Sequence, residues 1–77
     1  MTPIAAARAA AQDPDGQLTK RKSGAWIARN AKPGAPRFDT ATVQAAIREG
    51  WLKSTPARDG GRITHAVTIT PAGQEAT

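Results

Sequence analysis

The sequence predicts a small α+β domain, and three observations predict it. Val43, Ala46 and Ile47 recur at helical spacing between a capping Asp39 and a terminating Gly50. Residues 62–70 alternate apolar and polar side chains behind an Asp59-Gly60-Gly61 turn. The chain has 77 residues and no cysteine, enough for one domain with a thin core that no disulfide or thiolate-bound metal reinforces. Alanine supplies 17 of the apolar residues, which leaves 13 larger ones to build that core.

The first element expected is a helix within residues 1–16. Thr2 and Pro3 form a cap-then-proline start, residues 5–12 are strong helix formers, and Asp13-Pro14-Asp15-Gly16 stops the run. A helix of about ten residues is marginal alone. It either docks through its smooth alanine face or frays, and the sequence leaves both open.

Residues 17–38 carry the charge. The net charge is +5, yet Lys20, Arg21, Lys22, Arg29, Lys32 and Arg37 lie in this stretch without a single acid, and the rest of the chain is slightly acidic. A localised excess of this kind is expected of a surface that meets phosphate or an acidic partner; the plainer alternative is a solvated loop. The local reading is a short hairpin, residues 18–21 pairing with 25–28 around Ser23-Gly24, with a helical turn over 23–30 as the alternative. Residues 30–37 follow as a proline-stiffened loop.

Residues 39–50 form the second helix. Phe38 before the cap and Val43 at the fourth helical position have the spacing of a hydrophobic staple. At about 100° per residue the outward face carries Ala41, Gln44, Ala45 and Arg48. Residues 51–70 then read as a β-hairpin: a strand over 51–55 ending at Pro56, a tip over 58–62, and a returning strand. Ile63, His65, Val67 and Ile69 are expected to face inward, and Thr64, Ala66, Thr68 and Thr70 outward. Thr70-Pro71 opens a short final turn within the tail, 71–77.

Helix, Ile47-Arg48-Glu49-Gly50-Trp51-Leu52, the tip Arg58-Asp59-Gly60-Gly61-Arg62, and Val67-Thr68-Ile69-Thr70-Pro71-Ala72-Gly73 resemble in order the C-terminal half of winged-helix repressors of the MarR-like and PadR-like groups. The match covers residues 38–73. The resemblance implies a winged-helix-like domain that binds double-stranded DNA as a transcriptional regulator or accessory protein. It implies base contacts from Gln44 and Arg48, with Ala41 and Ala45 permitting close approach. It further implies phosphate contacts from Thr40 and Thr42 at the helix start and from Arg58, Arg62 and Lys53 on the wing. The local charge excess adds Lys20, Arg21, Lys22 and Arg37 as phosphate contacts, one coherent footprint if that segment lies beside this surface. Residues 18–37 depart from that family, because Pro33, Gly34 and Pro36 forbid the helix that precedes its recognition helix.

Other classes fit less well. His65 is the one histidine, the carboxylates are scattered, and no glycine-rich loop joins a strand to a helix. Neither an enzyme, a metal, a cofactor nor a small-molecule ligand is therefore expected. The rival is a protein-interaction or dimerisation module using Trp26 and Trp51, against which stands the need for both in the core. A homodimer is compatible with either reading. An RNA-binding role is disfavoured, since the three aromatic residues are needed inside. No run approaches the roughly 18 apolar residues of a membrane span, so the expectation is a cytoplasmic protein that does not touch membranes.

Overall fold

The computed structural model describes residues 2–59 and 61–77, with side chains outside 57–59 and 62–64. Its elements are α1 (Pro3–Gln12), β1 (Gln17–Lys20), β2 (Trp26–Ala28), α2 (Thr40–Arg48), β3 (Leu52–Ser54), β4 (Ala57–Asp59), β5 (Arg62–Thr64), β6 (Ala66–Ile69) and α3 (Pro71–Ala76). The fold is α+β: three helices and a four-stranded antiparallel sheet of order β2-β1-β6-β3, with β4 and β5 as a separate two-stranded ladder. Among the described residues no helix is long and apolar enough to cross a membrane.

The alanine helix docks. Ala6, Ala7 and Ala10 of α1 are fully buried, and Ala6 and Ala10 belong to the same core as Val43 and Ala46 of α2. Methyl groups four residues apart on one face let the two helix backbones approach closely. Thr2 occupies the cap position without a side-chain bond, and Pro3 starts the helix.

The hairpin expected over residues 18–28 is present. Leu18 pairs with Ala28, Thr19 with Ile27 and Lys20 with Trp26. Gly24 donates to the Arg21 carbonyl (2.9 Å) and Arg21 to that of Ala25 (2.8 Å), while Gly24 takes φ +87°. That is the three-residue loop in which glycine supplies the left-handed closing position.

The second helix begins where expected, with Asp39 Oδ1 accepting from the Thr42 N–H at 2.8 Å. It ends in a two-bond closure: Gly50 donates to the Ile47 carbonyl and Trp51 to that of Ala46, with Gly50 at φ +79°. Phe38 and Val43 are both buried in the core, as the staple requires.

The C-terminal hairpin differs from the sequence expectation in being split. Leu52 pairs with Ile69, Lys53 with Thr68 and Ser54 with Val67; beyond the break, Ala57 pairs with Thr64 and Asp59 with Arg62. Pro56, which has no N–H to donate, lies at the break. The break also corrects the inward set. His65 is exposed, and its carbonyl accepts from the N–H of Lys20, itself exposed, where β1 ends. Ala66 lies on the outward side as expected, opposite Thr19, yet is buried: its small methyl sits in an inner strand between Thr19 and Thr55. Ile63 falls outside the described side chains.

The sheet is covered on one side. Leu18, Val67 and Leu52 join the helices in the core, with Ile69 packed against them. Cross-strand partners share a side and neighbours along a strand alternate. It follows that Gln17, Thr19, Ile27, Lys53 and Thr68 stand on the uncovered side. Gln17 donates to Thr68, and Thr68 and Thr55 share a hydrogen bond across that surface.

Candidate nucleic-acid interface

Two surfaces gather the residues singled out from the sequence, and they lie on opposite sides of the sheet. The first is the outward stripe of α2. Ala41, Gln44 and Arg48 are exposed and Ala45 is half-buried, whereas Thr42, Val43 and Ala46 are buried. The helix starts beside β2, where the Trp26 indole N–H donates to Thr40 Oγ1 at 3.2 Å, and it ends in the turn leading to β3. Those strands are the two edges of the sheet. Three strand intervals of about 4.8 Å span about 14 Å; nine residues of helix span about 13.5 Å. The helix therefore crosses the full width of the sheet.

The start of that helix is already satisfied from within. Thr42 corrects the sequence expectation: its side chain is 9% exposed and its N–H bonds Asp39, so it belongs to the cap and not to an outer phosphate-binding surface. The Thr42 side chain first, and its N–H second, hold the Asp39 carboxyl below the usual carboxylate range. Thr40 is half-buried, its hydroxyl oxygen engaged by Trp26. A capping carboxylate already sits where an anion would approach these N–H groups.

The second surface is a groove of about 360 Å³ at the β2 edge, lined by Arg21, Lys32 and Arg37 together with Ile27 and Pro33. Its walls are the end of the β1–β2 hairpin and the loop over residues 29–37. The loop is fastened at both ends. Trp26 and Phe38 exchange backbone hydrogen bonds of 2.8 and 2.9 Å. At the other end Asp13, only 7% exposed, accepts from the N–H and side chain of Asn30 through Oδ1 and from the N–H groups of Asp15 and Gln17 through Oδ2. Between these anchors Ala35 donates to the Lys32 carbonyl, with Pro33 and a positive-φ Gly34 in the two central positions of a type II turn.

The six cations of residues 17–38 are thus distributed by role. Arg29 is structural: it donates to Gln17 Oε1 at 2.8 Å and forms an ion pair with Asp15 at 3.8 Å. Arg21, Lys32 and Arg37 line the groove; Lys20 and Lys22 are exposed at the hairpin end. Lys53 is exposed on the uncovered side of the sheet. The side chains of Arg58 and Arg62 lie outside those described. Because Ile27 points away from the helices, the groove opens on the side opposite α2. A single footprint joining the basic segment to the α2 stripe is not formed.

Sequence reading missed the roles of Asp13 and Gly73. Asp13 reads as a helix stop, and only its Asn30 partner reveals it as the anchor of a distant loop. Gly73 lies where a Cβ would overlap the Trp51 carbonyl, so the Thr-Pro-Ala-Gly run has a packing reason. Thr70 caps α3 by accepting from the Gly73 N–H, and it donates to the Gly50 carbonyl. No family model, curated protein or solved structure matches this chain.

Proposed function

We propose that this chain binds double-stranded DNA as a winged-helix-like module, serving as a regulator or accessory DNA-binding protein, with α2 as the helix that enters the major groove. The observation that carries the reading is the exposed stripe Ala41, Gln44, Arg48 on a helix held rigidly at both ends and against α1. An α-helix about 10–12 Å across with its side chains fits a major groove about 12 Å wide. Gln suits adenine, Arg suits guanine, and the small Ala41 permits contact with thymine methyls. The hairpin following α2 supplies the wing, with Arg58 and Arg62 as its expected phosphate contacts.

The test is binding to mixed and selected duplexes over a salt series. Affinity is expected to fall as salt rises, with a log–log slope of about −0.9 per phosphate contacted. The double variant Gln44→Ala, Arg48→Ala is expected to lose sequence preference while keeping non-specific affinity. No binding at low salt, or binding indifferent to salt, overturns the reading.

A further inference from the structure

We infer that the Arg21, Lys32, Arg37 groove is a second phosphate-binding site, that it holds the backbone of a second nucleic-acid duplex, and that one chain thereby bridges two duplexes. The inference rests on the proposed reading of α2, since the first duplex is the one held there. Three observations carry it. The groove gathers three cations and no acid, and none of the three takes part in the one ion pair found among the described residues, Arg29 with Asp15. It is built in advance: the Trp26–Phe38 backbone pair and the Asp13–Asn30 bonds fix its walls, so little ordering cost falls on binding. It opens on the side of the sheet opposite α2, in a molecule measuring 32 × 22 × 22 Å between Cα extremes. A duplex seated against α2 leaves the groove facing away from it.

The chemistry favours a phosphodiester backbone over an enclosed small ligand. Arg37 presents a planar donor fork suited to phosphate oxygens, Arg21 offers the donors left beside its Nη2 bond to the Ala28 carbonyl, and Lys32 adds a point charge. Ile27 and Pro33 give an apolar floor against which sugars can lie. No aromatic side chain lines the groove, so it lacks the stacking platform that single-stranded bases require.

The experiment is capture of a fluorescent duplex by beads carrying the same duplex, with the intact chain as the only link. The wild-type chain is expected to retain the fluorescent duplex. The triple variant Arg21→Ala, Lys32→Ala, Arg37→Ala is expected to retain at least tenfold less, while the sequence preference set by α2 is kept in solution. All three side chains are exposed, so folding is not at stake; a single reversal, Lys32→Glu, should lower capture in the same direction. Capture by the triple variant equal to wild type overturns the inference and points to bridging by a dimer through two α2 helices. One-duplex binding without capture overturns it and leaves the α2 reading intact. Absence of duplex binding altogether overturns both. Binding of a polyglutamate peptide that the triple variant loses, with no capture of DNA, reassigns the groove to an acidic protein partner and also overturns it.

Discussion

Gly73 and Asp39 show how much of this chain depends on single side chains, or on the lack of one. At Gly73 the backbone of α3 lies so close to Trp51 that a methyl group has nowhere to go. Gly73→Ala is expected to destabilise the protein by about 1–3 kcal/mol, the usual cost of overpacking, measured by urea unfolding. An unchanged midpoint would mean that α3 docks elsewhere. Asp39 sets a pH dependence. Its folded carboxyl is held below the unfolded value of about 3.9, so its stabilisation is present above that pH and is lost as pH falls through the folded value. Melting curves of wild type and Asp39→Ala from pH 7 to pH 2 should differ at the upper end and converge at the lower. A gap that persists to pH 2 would refute the capping role.

Elements governed by local rules were legible before any coordinates. The Asp39 cap, the Phe38–Val43 staple and the Gly50 stop all act within a few residues, and α2 formed as they dictate. Gly24 is consistent with the hairpin of β1 and β2, but the run after it is too short for periodicity to separate strand from helix, and the sequence leaves both open. What neighbouring residues cannot announce is a long-range partner. Docking of α1 depended on α2 lying alongside it, and the exposure of His65 on β1 ending at Lys20. Asp13 belongs to this second kind: its partner Asn30 is 17 positions away. Asp13→Ala should loosen the loop over residues 29–37 and cost about 1.5–3 kcal/mol, the worth of a charged hydrogen bond. Faster hydrogen exchange at Asn30 than within β2 would localise the damage; uniform acceleration would contradict the anchoring role.

For the molecule entire, the side of the sheet on which each side chain falls decides what the charge means. Composition located the cations within residues 17–38 but not their side, because that depends on β1 pairing with β6, a contact nearly fifty residues long. Whether the basic segment shares a face with α2 is open in the sequence for that reason, and the fold makes the α2 stripe and the groove two surfaces. The same sidedness governs the tryptophans. Trp26 is buried and bonded to Thr40, whereas Trp51 is half-buried. In acrylamide quenching, Trp51→Phe should leave a shielded emitter and Trp26→Phe an accessible one. Equal quenching would show that the core is not closed around Trp26. The loop over residues 29–37 contributes no side chain to the buried core, and both its ends are tied down by bonds to residues outside it. Beyond Arg29 and Asn30, which hold it, its sequence is therefore free to drift, lengthen or change sign while the inherited framework stays the same. Descendants of this chain could come to grip different molecules without having to rediscover how to fold.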